Sequence, residues 1–219
     1  MSKTHIYFVP GMAANSKIFE YLQLDSNIYE LHFLEWKIPT SKNESIESYA
    51  QRMCAEITNK NPVLIGVSFG GVMAQEMSKL ITTKKVIIIS SVKSNLEFPK
   101  RLKLVVATKV YKLFPAKFIE NLDSYIDYFL GDYQKHKIEA YKKYMSVRNA
   151  DYLYWAIYTV LHWKQEATVD NISHIHGTSD GIFPIKNIEN PIKIENGTHA
   201  MILTKAKKIA SEIDKILTC

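Results

Sequence analysis

Cysteine is scarce in this 219-residue chain: there are two, Cys54 inside an amphipathic segment and Cys219 at the last position. Neither is placed like half of a disulfide or a metal-binding thiol, and Cys54 reads as a small core residue. Long apolar runs are missing as well. Nothing approaches the roughly 20 residues of a membrane span. The start, Met1 to Pro10, has no apolar signal-peptide core and reads as a first strand, so the expected location by default is cytoplasmic. There is no internal repeat and no low-complexity tract. A dense basic stripe is also lacking. The net charge of +6 comes from 28 basic and 22 acidic residues. The lysines are scattered, with only pairs such as Lys84-Lys85, Lys142-Lys143 and Lys207-Lys208. A nucleic-acid surface needs denser charge interleaved with aromatics, so no nucleic-acid partner is expected.

What is present is an ordinary globular composition, 47% hydrophobic and 23% charged. That suffices for one domain with a sizeable core, or a core carrying an inserted cap. Its most informative stretch is Gly66-Val67-Ser68-Phe69-Gly70. A short apolar run, Val63-Leu64-Ile65, precedes it, and a helix-like segment from Gly71 to Met77 follows. Strand, Gly-x-Ser-x-Gly, helix is the context of a nucleophile elbow, in which the serine hydroxyl is held out at the C-terminal end of a strand. Gly66 and Gly70 remove the Cβ atoms that would clash in so tight a turn.

Two later loops supply partners. His176-Gly177-Thr178-Ser179-Asp180-Gly181-Ile182-Phe183-Pro184 follows the apolar run at Ile172 to Ile175, and Asn196-Gly197-Thr198-His199 follows Pro191 to Ile194. Both read as loops leaving the C-terminal ends of strands, the edge of an open α/β sheet where ligands bind. Serine, then acid, then histidine is the chain order an α/β-hydrolase requires. With Phe8-Val9-Pro10-Gly11-Met12, the elbow at Ser68, Gly-x-x-Asp-x-x-x-Pro at Asp180 and Gly-x-His at His199, the chain resembles the α/β-hydrolase superfamily. The resemblance frames nearly the whole chain except the stretch from about Asn95 to Trp163.

The remaining periodicity fits that fold. Ile6 to Val9, Tyr29 to Trp36, Val63 to Ile65 and Lys85 to Ser90 read as strands. Helical spacing appears at Ile18, Phe19, Tyr21 and Leu22, at Ile46, Tyr49, Ala50, Met53 and Ile57, at Val72, Met73, Met77 and Leu80, and from Lys205 to Leu217. The alternation predicts a mostly parallel sheet of about six strands with helices on both faces. The resemblance implies a version trimmed of the opening antiparallel hairpin. The core is expected over 1–94 and 166–219, with a helical cap of three to five helices over 95–165. The cap segments comprise residues 102–113 before a break at Phe114-Pro115, residues 125–129 before a stop at Gly131, and residues 141–145 and 152–163. Each cap aromatic taken singly is expected in packing; together, over the elbow, they suggest a pocket for an apolar acyl or alcohol group.

The chemistry follows from the residue types. Serine is a poor nucleophile until a base takes its proton. Among the seven histidines, His5 and His32 lie on early strands, His136 and His162 fall in the cap, and His174 and His176 precede the acid. His199 alone follows a late strand and a glycine. Asp180 is the expected orienting carboxylate. The loop one strand earlier offers Ser90, Ser91, Asn95 and Glu97 but no aspartate, and Asp170 precedes its strand. The resemblance implies oxyanion-hole donors at the backbone N–H groups of Phe69 and Met12, although Pro-Gly replaces the family's frequent His-Gly before Met12. The expected activity is hydrolysis of a carboxylic ester or thioester of a small, apolar substrate through Ser68, His199 and Asp180. No cofactor or metal is called for, and the oligomeric state is left open. Lyase or carbon–carbon hydrolase chemistry on the same fold, or ligand binding without catalysis, are the alternatives.

Overall fold

The computed structural model describes residues 3–108 and 144–218. Among these, six strands form one all-parallel sheet: β1 (Thr4–Val9), β2 (Tyr29–Phe33), β3 (Val63–Val67), β4 (Lys85–Ile89), β5 (Ile172–Gly177) and β6 (Ile192–Ile194). Their spatial order is β2-β1-β3-β4-β5-β6. The central strands β3 and, after Lys85, β4 are unbroken runs of apolar residues and glycine, nearly all fully buried, as expected of parallel strands covered on both faces. The helices are α1 (Ile46–Cys54), α2 (Phe69–Ser78), α3 (Lys100–Thr108), α4 (Ala150–His162), α5 (Met201–Thr204) and α6 (Ala206–Thr218).

Side-chain parity shows which helices cover which face. Tyr7 of β1 donates its hydroxyl to Asn59 Oδ1 at 2.5 Å, just beyond α1. α1 in turn packs beside α2, which lies across β1, β3 and β4. Thr4 is in register with Tyr29, so Tyr29 points to the face opposite Tyr7. There its hydroxyl donates to Asp214 Oδ1 of α6 at 2.8 Å. α6 buries Ala206, Ile209, Ala210 and Ile213, a single helical stripe.

Several local expectations need correction. The helix expected at Ile18 to Leu22 is a four-residue 3-10 turn, Ser16–Phe19, capped by the Asn15 side chain. One turn suffices to bury Ile18 and Phe19, while Tyr21 is exposed. The second strand stops at Phe33 and not at Trp36. The Leu34 N–H makes a final bond to Phe8 O (2.9 Å), and Trp36 then turns inward. Leu80 lies past the end of α2 and is 47% exposed, so it adds nothing to that helix's buried face. Ile57 falls beyond α1 and is only partly buried. Cys54 packs against the core, and burial pushes its thiol up to about 11.

Of the segment expected as a cap, residues 109–143 lie outside the described residues. With them go the readings at 110–113, 114–115, 125–129, Gly131, His136 and Tyr141, as does Cys219. Of the described aromatics expected in the cap, Tyr152, Trp155 and Trp163 are buried, whereas Tyr158 is exposed. Tyr49 and Trp155 stack at 4.1 Å, and Trp36 meets Tyr152 at 5.6 Å. Glu76 Oε1 accepts from Trp163 Nε1 at 2.7 Å. These rings bind α4 and the segment that follows it to the core.

Candidate active site

The elbow depends on close backbone contact. A Cβ on Gly66 would lie 2.1 Å from Gly70 O and 2.6 Å from Gly71 Cα; one on Gly70 would lie 2.3 Å from the carbonyl oxygens of Val9 and Pro10. All of these distances are far inside van der Waals contact, so α2 can start against β1 and β3 only if these two residues are glycine. Ser68 sits between them at φ 53°, ψ −119°, a left-handed conformation that L-residues with a Cβ adopt at a cost. Three hydrogen bonds hold it there. Ser68 N–H donates to Ile89 O (2.9 Å), while Ser68 O accepts from Gly71 N–H (2.9 Å) and from the Ser91 hydroxyl (2.7 Å).

The two later loops arrive at the same edge. Their contact is fixed by Thr178 N–H to Ile194 O (3.0 Å), Ser179 N–H to Gly197 O (2.9 Å) and Asn196 N–H to the Thr178 hydroxyl oxygen (2.9 Å). Asp180, at the end of the β5 loop, is 4% exposed, and His199 is 8% exposed. His199 Nδ1 lies 2.9 Å from Asp180 Oδ2, and His199 Nε2 lies 2.9 Å from Ser68 Oγ. An ionised carboxylate only accepts, so Nδ1 carries the proton and Nε2 is free to accept from the serine hydroxyl. Asp180 Oδ1 accepts from the N–H groups of Ile182 (2.8 Å) and Phe183 (2.9 Å). Burial pushes this carboxyl up, but His199, His176 and the Phe183 N–H outweigh it and leave the group below the usual aspartate range.

The segments expected to carry the oxyanion donors adjoin this serine. Phe69 is its immediate successor, and a Cβ on Gly11, beside Met12, would be 3.8 Å from Ser68 Cβ. Among the described residues, neither the Met12 nor the Phe69 N–H donates to a backbone acceptor.

Sequence reasoning missed several supporting side chains. Trp36 joins the Gly11-Met12 loop to Phe69: its Nε1 donates to Gly11 O (2.9 Å) and its ring stacks on Phe69 at 5.2 Å. His174 and His176 do not reach the serine; they line up behind Asp180. His176 Nε2 donates to Phe183 O (2.8 Å) and lies 3.6 Å from Asp180 Oδ2. Its Nδ1 therefore accepts from His174 Nε2 at 3.0 Å. Burial pushes both imidazoles down, His174 strongly, so both are neutral. Their i, i+2 spacing on one strand was the available signal. Arg101 of α3, for which the sequence held no signal, donates to the carbonyl oxygens of Gly181 and Ile182 and so clasps the loop that carries Asp180.

Comparison with known proteins bears on the fold. An esterase from Exiguobacterium antarcticum superposes with a TM-score of 0.72 at 16% identity, over 100% of this chain and 93% of its own. A carboxylesterase structure from Nitrososphaera gargenis gives 0.75 at 12% identity, covering 99% and 90%. A bromoperoxidase from Bacillus anthracis gives 0.73 at 14% identity, covering 100% and 93%. The fold is that of the α/β-hydrolases. Within this α/β-hydrolase fold, residues 10–108, which contain the elbow, match the model of an uncharacterised protein family, UPF0227. No curated protein matches the sequence. The neighbours' names span more than one reaction, so the fold alone does not choose the chemistry. Among the described residues no helix is long and apolar enough to cross a membrane.

Proposed function

We propose that this chain is a serine hydrolase that cleaves a carboxylic ester or thioester of a small, apolar substrate. The observation that carries the reading is the unbroken contact from Ser68 Oγ through His199 to Asp180, both links 2.9 Å long, at the C-terminal edge of a parallel sheet. His199 takes the hydroxyl proton as Ser68 Oγ attacks the carbonyl carbon, and Asp180 stabilises the imidazolium that forms. The tetrahedral oxyanion is received by the N–H groups of Phe69 and Met12; each such donor contributes about 3 kcal/mol to the transition state. The imidazolium returns its proton to the leaving alcohol or thiol, and an acyl group remains on Ser68. His199 then deprotonates a water that attacks the acyl carbon, releasing the acid and restoring the serine. Residues 95–165 act in this reading as a cap that shapes the acyl pocket.

The test is turnover of short p-nitrophenyl esters and thioesters by the wild-type protein and by Ser68→Ala. Loss of the serine should lower kcat by roughly 10⁴ to 10⁶. A fluorophosphonate probe should label the wild type and leave Ser68→Ala unlabelled. Equal turnover in the two proteins, or no labelling of the wild type, would remove Ser68 from the role of nucleophile. Oxygen from labelled water should appear in the product acid; its absence would indicate lyase chemistry.

A further inference from the structure

A second group of reactive side chains lies away from this edge, on the outer pair of strands. β1 and β2 run parallel with His5 opposite Glu30 and Tyr7 opposite His32. Alternation puts all four side chains on one face, so a diagonal pair of histidines converges beside a carboxylate. His5 Nδ1 and His32 Nε2 are 3.1 Å apart. Glu30 Oε2 is 3.7 Å from His5 Nδ1, and Glu30 Oε1 is 3.7 Å from His32 Nε2. We propose that His5, Glu30 and His32 form a binding site for one divalent transition-metal ion, of which Zn²⁺ is the type.

The distances fit a tetrahedral ion. Ligand atoms bonded to Zn²⁺ at about 2.0–2.1 Å lie about 3.4 Å from one another. The 3.1 Å histidine edge and the two 3.7 Å carboxylate contacts lie either side of that value; because those two contacts use different oxygens of Glu30, a turn of the exposed carboxylate brings one oxygen towards both rings, and a fourth position is left for water. The donor set selects the ion class. Two imidazoles with one carboxylate suit zinc, copper or nickel, whereas calcium and magnesium take oxygen ligands.

The support behind the ligands is also in place. The His32 ring stacks on Tyr7 at 4.3 Å and 13°, and Tyr7 is itself held by Asn59. The ring plane of one ligand is therefore set before any ion binds. Because β2 is the outermost strand, the cluster opens to solvent: the side chains of His5, His32 and Glu30 are 26%, 28% and 50% exposed. An ion thus has an entry path.

The site is separate from the chemistry at Ser68. His5 lies four residues before Val9, about 13 Å along the strand from the edge where the elbow sits. The bound ion would pin the edge strand to β1 and stabilise the folded chain, since the unfolded chain lacks the converged donors.

The experiment is a titration of chelator-treated protein with Zn²⁺ alone, followed by calorimetry and by thermal denaturation. The wild type should bind one ion that His5→Gln and His32→Gln fail to bind, with affinity reduced by more than about 100-fold, beyond the 10–100-fold that losing even an outlying support costs. Glu30→Gln, at an exposed position and nearly isosteric, should weaken binding less, by about 10-fold, and guards against a misfolded histidine variant. Ester hydrolysis should be the same in all four proteins without metal. Zn²⁺ affinity that is unchanged in His5→Gln and His32→Gln, or a wild type without saturable one-to-one binding, would overturn the site.

Discussion

The backbone of Ser68 offers a test of the elbow that does not depend on the substrate. At φ 53°, ψ −119° the Cβ of any L-residue is strained, and glycine is not. Ser68→Ala and Ser68→Gly both lose the hydroxyl and its 2.9 Å contact with His199. Both should therefore be equally inactive, and their difference in stability isolates the strain. Alanine keeps about 1–3 kcal/mol of that strain. Glycine releases it but costs about 0.5–1 kcal/mol in unfolded-state entropy. The balance favours glycine by about 1 kcal/mol, which in a domain of this size raises Tm by about 2–4 °C. The sign is the informative part, because at an ordinary helical or extended position glycine is the less stable of the two. Urea unfolding of the two variants, with matched slopes, measures it. A Ser68→Gly protein less stable than Ser68→Ala by the usual glycine cost would refute the idea that the elbow stores strain.

Two further outcomes are expected. Trp36→Phe keeps the stack on Phe69 but strips the donor from Gly11 O, so unfolding free energy should fall by about 1–3 kcal/mol. If the Gly11-Met12 loop supplies an oxyanion donor, kcat should drop with KM little changed; a change in KM alone would argue against that assignment. The buried pair His174 and His176 should make stability depend on pH. Their folded pKa values lie below the unfolded value near 6.5, so unfolding takes up protons below that pH. Stability is then complete above about pH 6.5 and declines by roughly 1 kcal/mol per pH unit for each imidazole as pH falls. The depressed Asp180 carboxyl works in the same direction at lower pH, its contribution present above the unfolded value near 3.9 and lost as pH falls through the folded one. Urea midpoints at pH 7.5, 6.5 and 5.5 should descend, less steeply in His174→Gln, and a flat profile would contradict the buried neutral pair.

The parts of this molecule that could be read from its sequence are those where a local rule admits few residues. Gly66 and Gly70 have no room for a Cβ, so the elbow announces itself in five letters. The apolar runs of β3 and β4 read as strands covered on both sides because they are short, rich in β-branched residues and bounded by turn signals, whereas α2, also buried from Phe69 to Met77, is longer. Asp180 and His199 were legible through position: each follows a strand, and parallel strands deliver their following loops to one edge. The errors share a cause too. Tyr21, Leu80 and Trp36 sit where an apolar pattern runs past the end of its element, and the pattern does not say where hydrogen bonding stops.

What the sequence hid are contacts that join distant segments without a local requirement on either side. Nothing near Trp36 says that its indole will bridge Gly11 and Phe69, and nothing near Arg101 says that it will clasp the loop 80 residues later. The histidines make the same point from one residue type. His174 and His176 were set aside as bases because they precede the acid in the chain, and the contact with Ser68 Oγ comes from His199. That rule says which histidine touches the serine and nothing of what the others do. Only strand pairing puts His5 beside His32, 27 residues apart, and only the fold of the β5 loop puts His176 behind Asp180. Chain order points to the residues proposed to react. Register, which needs the folded sheet, identifies those that hold them, and it is register alone that turns two early-strand histidines and a glutamate into a candidate metal site.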